Sequence, residues 1–170
     1  MSNSDTKHIL SIMVDNEPGV LARVVGLFSG RGYNIESLSV SEVDSDKFLS
    51  RVTVVTSGTK IIVDQIKAQL NKLIPVHNLI DITELSSFIG KELILIKLNV
   101  KSITRKSFEN IVKKSKVIVL FEKGNEIIVQ FSGSPSEISN LLKKLKTFKI
   151  IEQTRSGLVS MALGTDYIKK

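Results

Sequence analysis

The spacing of the apolar residues switches between strand and helix period several times in the first half of the chain, and that alternation restricts the possible folds more than any other feature. "HILSIMV" at 8–14 is a near-continuous apolar run of strand length. In "PGVLARVVGLFSGRG", Val20, Leu21, Val24, Val25, Leu27 and Phe28 then recur at helical spacing. "YNIESLSVSEV" sets Leu38 and Val40 against Ser37, Ser39 and Ser41, the alternation of a half-buried strand. A turn at "DSDK" leads into the β-rich "FLSRVTVVT"; Ile62, Ile66, Leu70 and Leu73 mark a second helix face, and "PVHNLIDIT" closes with a strand. The order is β-α-β-β-α-β.

After Leu85 the same order returns. "KELILIKLNV" predicts a strand, "RKSFENIVKKS" a helix, "KVIVLFE" and "NEIIVQFSG" a hairpin, "PSEISNLLKKLK" a helix and "FKIIEQT" a strand. The chain therefore reads as α+β, with two tandem ferredoxin-like βαββαβ units dividing at 84/85 into residues 1–84 and 85–170. In each unit two helices cover one face of an antiparallel sheet. The other face and the strand edges need cover of their own, which for units this small is expected from oligomerisation.

Composition narrows the chemistry. At 170 residues and 42% apolar content the chain can bury a sizeable core. No apolar run approaches the roughly 20 residues that a membrane helix needs, and the polar start "MSNSDTKH" lacks the zones of a signal peptide, so a cytoplasmic location is expected. Without Cys there is no disulfide framework and no thiolate nucleophile or ligand, and His8 and His77, with no clustered partners, read as structural. No Walker loop, HExxH or GxSxG occurs, so neither a catalytic nor a metal site is expected. Charge is uneven: residues 1–84 hold 8 Lys/Arg against 10 Asp/Glu, while 85–170 hold 16 against 7. Either the two halves face different partners, or the basic half is a solvated Lys-rich surface. Two ferredoxin-like units could also form a tandem nucleic-acid-binding module, but Phe108, Phe121, Phe131 and Phe148 do not form the stacking run such modules use.

"DNEPGVLARVVGLFSGRGYNIES" at 15–37 raises the functional question. Pro18 suits a first helical turn, Asn16 or Asp15 can cap it, and Gly30 or Gly32 can end the helix. A helix start presents unpaired N–H groups and partial positive charge to an anion, and Gly19 lets a ligand approach the backbone. Asn34 opens the following strand, which lies at the sheet edge in this topology. A second copy pairing through that edge would bring Asn34 opposite a helix start, where its amide could meet both charged groups of an amino acid. Two readings stand on these residues alone: a zwitterion site at a dimer seam, or ordinary helix punctuation.

The βαββαβ order with "DNEPGVLARV" at its first turn resembles the ACT domain, a regulatory module that binds amino acids at subunit interfaces. "ILSIMVDNEPGVLARVVGLFSGRGYNIESLSV", with "SRVTVVT", "QIKAQLNKLIPV" and the late "RSGLVSMALG", is similar to the regulatory (small) subunits of acetohydroxyacid, or acetolactate, synthases. Residues 85–150 match in layout only.

The resemblance implies a non-catalytic subunit, an N-terminal ACT domain that dimerises and binds an amino acid, and a C-terminal ACT-like domain. The implied partner is a catalytic large subunit that carries thiamine diphosphate, Mg and FAD and works in branched-chain amino acid biosynthesis; no cofactor is implied in this chain. The small subunit would activate that enzyme and confer feedback inhibition. Carried over by position, effector-binding residues fall on Asn16 and Gly19 and on Asn34, with Val20, Leu21 and Ile35 shaping the pocket and the N–H groups of Gly19 and Val20 meeting the carboxylate. The effector is expected to be valine. Leucine and isoleucine differ from it by methylenes worth about 1–3 kcal/mol each. A free-standing ACT-type sensor of some other protein is the alternative.

Arg23, Arg31 and Arg51 are candidate seam or anion contacts beside a solvated reading. Arg155 and Gly157 in "RSGLVSM" are candidates for domain-interface structure or partner contact, beside a reading as a C-terminal turn. "GSPSE" at 133–137 reads as helix-entry chemistry only.

Overall fold

A computed structural model describes residues 5–164 and 168, so the first four residues of "MSNSDTKH" lie outside the described residues. The first apolar run forms β1 (Thr6–Asp15), followed by α1 (Val20–Ser29), β2 (Ser37–Asp44), β3 (Leu49–Gly58), α2 (Lys60–Leu70) and β4 (Val76–Asp81). The sheet order is β2-β3-β1-β4, with neighbours antiparallel, so β2 is an edge strand as expected. Strand alternation sends Leu10, Ile12 and Val14 from β1 and Val52 and Val54 from β3 to one face. There they meet Val20, Val24, Leu27 and Phe28 of α1 and Val63, Ile66 and Leu70 of α2. Burying each such side chain contributes about 1.5–3 kcal/mol. Leu73 lies beyond the end of α2 and packs only partly against this core, because the helix stops at Leu70.

The second six-element set is β5 (Phe88–Asn99), α3 (Arg105–Ser115), β6 (Ile118–Lys123), β7 (Glu126–Gly133), α4 (Pro135–Leu145) and β8 (Lys149–Arg155), in the order β6-β7-β5-β8. Ile94, Ile96, Leu98, Ile127 and Val129 pack under Phe108 of α3 and Ile138, Leu141 and Leu145 of α4. The Phe108 and Phe148 rings meet edge to face at 5.6 Å.

Sequence reading supplied no strand after Arg155, but a short β9 (Val159–Ala162) pairs with β5, and the Leu163 N–H donates to the Ser87 carbonyl at 3.1 Å. Contacts group the chain into one unit of the residues through Ile89 together with those from Leu158 onward, and another of Gly90–Gly157. The expected range 85–170 therefore does not describe one compact body. The reason is apolar: Leu158 buries against Ile9, Val55 and Ile82, and Ile168 against Met13 and Leu49. These are the helix-free residues of the first sheet. Oligomerisation was expected to cover that face; part of it is covered by this chain's own later residues. Hydroxyls of β2 hold the segment in place, with Ser39 donating to the Leu158 carbonyl at 2.7 Å and the Leu158 N–H donating to Ser37 Oγ at 3.1 Å.

Candidate functional site

The link from β1 to α1 is built differently from the capping arrangement expected of it. Gly19 is the N-cap, at φ 87°, and no side chain caps the helix; Pro18, Asn16 and Asp15 all precede it. The chain leaves β1 and must reverse at Gly19 through the left-handed region, which an L side chain adopts only at a cost. The helix therefore starts at Val20, two residues later than a start at Pro18. The Val20 N–H reaches the Glu17 carbonyl at 3.3 Å, and Arg23 closes the first turn on the Gly19 carbonyl at 3.0 Å. The amides of Leu21 and Ala22, in the uncapped first turn, have no acceptor within the helix. Of the two amides expected to meet a carboxylate, that of Val20 is engaged locally, and the amides without a helical acceptor lie one and two residues on. Val20 itself is buried in the core, while Asn16, Gly19 and Leu21 are exposed.

At its other end α1 stops at Ser29 and closes through a turn that uses Gly32 at φ 70°. The Gly32 N–H donates to the Ser29 carbonyl at 3.2 Å and the Tyr33 N–H to the Phe28 carbonyl at 2.9 Å, the paired bonds of a Schellman closure. Asn34 follows in the connection, not on the strand, because β2 begins only at Ser37. Its carbonyl accepts from Thr56 Oγ1 at 2.7 Å, its side chain is exposed, and Ile35 packs partly on the core.

Within one chain these residues are not brought together. Asn16 is tied to one end of the sheet by donating its N–H to the Phe48 carbonyl at 2.6 Å, while Asn34 is tied to Thr56 at the other. In the β1/β3 register Leu49 faces Asp15 and Thr56 faces His8, seven positions along the strand and about 23 Å at strand rise. A two-fold pairing of β2 edges would run the two strands in opposite directions and bring the Asn34 end of one copy to the Asn16 and Gly19 end of the other. The β2 edge carries Val40 and Val43 partly exposed, and at the Asn16 end Phe48 is 66% exposed at φ 51°. Sequence reading placed Phe48 at the start of a strand. Its position directly after "DSDK" was the available sign that it belongs to the turn.

The remaining candidates have local partners. His8 Nδ1 lies 2.7 Å from Asp81 Oδ2, in a buried pair whose carboxylate also accepts from the Thr83 N–H at 3.0 Å, and His77 Nε2 lies 2.5 Å from Asp15 Oδ1. Arg51 lies on the helix-free face of β3 beside Met13, and burial pushes its guanidinium below the ordinary value. Arg23 and Arg31 are exposed. Arg155 donates through Nε to the buried carboxylate of Glu92 at 2.8 Å, and Gly157 turns the chain at φ 79°. Among the described residues no three His, Asp or Glu side chains gather to hold a metal ion, and no helix is long and apolar enough to cross a membrane.

Two family models match the chain: an acetohydroxyacid synthase small subunit-like ACT domain over residues 10–78, and the small subunit of acetolactate synthase over 91–164. An acetolactate synthase small subunit of Mycolicibacterium smegmatis is 38% identical over 96% of this chain and 95% of that one. A probable acetolactate synthase small subunit of Archaeoglobus fulgidus is 35% identical over 93% and 98%. The crystal structure of the Thermotoga maritima acetolactate synthase small subunit covers 92% of this chain and 96% of its own, at 28% identity and a TM-score of 0.83. Because both units are matched by models of one family and these relatives align over more than nine-tenths of each chain, the chain belongs to the family of acetolactate synthase small subunits.

Proposed function

We propose that this chain is the regulatory, non-catalytic subunit of a cytoplasmic acetolactate synthase, activating a catalytic large subunit that carries thiamine diphosphate, Mg and FAD, and conferring feedback inhibition by valine. The first unit is the amino-acid-binding and dimerising domain. Two copies pair through their β2 edges, and the effector sits between the Asn16, Gly19, Val20 and Leu21 segment of one and Asn34 and Ile35 of the other. The observation that carries this reading is the uncapped helix start behind Gly19, placed at the opposite end of an edge strand from Asn34. A two-fold axis across that edge makes two equivalent sites. At each, first-turn amides face the effector's carboxylate and an exposed Asn side chain supplies a donor and an acceptor.

Regulation then follows from differential binding. Valine stabilises one docking geometry of the dimer on the catalytic subunit, and a coupling of about 1–3 kcal/mol changes its activity severalfold or more. The test is to titrate the purified chain into the catalytic subunit and follow acetolactate formation with and without millimolar valine. The rate should rise on addition of the chain and fall again with valine, and Asn34→Ala should keep the activation and lose the inhibition. No activation by the chain, or unchanged inhibition in Asn34→Ala, refutes the reading.

A further inference from the structure

The second unit contains a cavity of about 460 Å³ lined by the end of α3, by α4 and by β7, within the size range of small-molecule sites. Lys114 and Lys116 line it from the α3 side and Lys144 from α4. Lys144 Nζ lies 3.5 Å from Ser115 Oγ, and among the described residues none of the three lysines has an acidic partner within ion-pairing distance. The carboxylate that also lines the cavity, Glu137, is already committed: it accepts the Ser134 N–H at 2.6 Å and pairs with Lys91 at 3.0 Å. Phe131 and Leu141 give the cavity an apolar side.

Lysines in the last turns of α3 and α4 favour the helix dipoles, and that alone accounts for their presence there. It does not account for which lysines line the cavity, because Lys113, Lys143 and Lys146 occupy the same helix ends without lining it. Nor does it account for Lys116, which stands at φ 54° in the left-handed C-cap position where glycine carries no conformational penalty. Strain retained at a residue that faces a cavity is a sign of use.

We propose that this cavity binds a small phosphate-bearing anion. Three lysines in the lining against one committed carboxylate leave an excess of positive charge that suits a dianion, and lysine meets phosphate as a point charge without a fixed fork geometry. The apolar side receives whatever organic portion the phosphate carries. The site lies wholly in the second unit and does not depend on the valine reading.

Inorganic pyrophosphate is the probe, titrated into the full chain by calorimetry in chloride buffer. Saturable one-to-one binding that weakens as KCl rises is expected. The double variant Lys114→Gln/Lys144→Gln should bind at least tenfold more weakly, while Lys123→Gln/Lys149→Gln, which removes the same charge elsewhere in the unit, should stay within twofold of wild type. Lys116→Gly should bind severalfold more weakly with an unchanged or higher urea midpoint, since glycine relieves the backbone while removing the ammonium. Absence of binding, or equal losses in the two double variants, overturns the proposal; the second result would assign the affinity to diffuse surface charge.

Discussion

At Gly19 the backbone decides the local structure and the side chain does not, since a Cβ built there meets nothing within 4 Å. Any cost of substitution therefore comes from φ. Gly19→Ala is expected to lower unfolding free energy by about 1 kcal/mol, measured by urea denaturation, because a left-handed L residue costs roughly 1–2 kcal/mol. A loss above 3 kcal/mol would point to a clash that the open space does not provide. The residues proposed for an effector site stood out by type and spacing, but their local backbone geometry did not. "NEPG" looks like a capped helix start, and a capping rule weighs Asn and Pro above the glycine. The rule failed because the chain needed a reversal before the first turn, and only Gly19 can make it without strain. Asn34 was read as opening the second strand, but that strand starts at Ser37, since β-rich spacing does not reveal where pairing begins.

The start of α4 shows the same rules succeeding. "GSPSE", read as helix-entry chemistry, puts Ser134 at the N-cap and Pro135 in the first turn, and Ser134 and Glu137 form a capping box. The Ser134 backbone N–H, followed by the Lys91 ammonium, holds the Glu137 carboxyl at about 2. A depressed carboxyl stabilises the fold above the ordinary carboxylate range and loses that contribution as pH falls from about 4.5 toward 2. Glu137→Gln should therefore lower the urea midpoint at pH 6, with the gap from wild type closing steadily below pH 4.5. A gap that is the same at pH 6 and pH 3 would mean the amide loses packing and not charge. Element order and type were readable up to Arg155 because each period spans a whole strand or helix, while the four-residue β9 is too short to show a period. Boundaries moved where a run of apolar residues outlasts its element, as Leu73 does beyond α2.

For the molecule as a whole, the tandem arrangement was legible and the crossing of the chain back to its first unit was not. "RSGLVSM" carries only one turn glycine and a few apolar residues, and nothing in its spacing says which of two similar sheets it covers. The answer lies in pairwise burial: Leu158 has 3% exposure among Ile9, Val55 and Ile82. Leu158→Ala should cost about 2–4 kcal/mol of stability, read as an earlier urea transition of the first unit, because the cavity left on a flat sheet face collapses only in part. A cost below 0.5 kcal/mol would show that the segment merely rests on the sheet.

That return of the chain also orders its synthesis. The residues that finish the first sheet's helix-free face leave the ribosome only after the entire second unit has been made. Until then the nascent chain carries Ile9, Met13, Leu49 and Val55 without their final cover. The first unit to emerge is thus among the last to be completed, and the interval between is when chaperones or a second nascent chain can reach its open face.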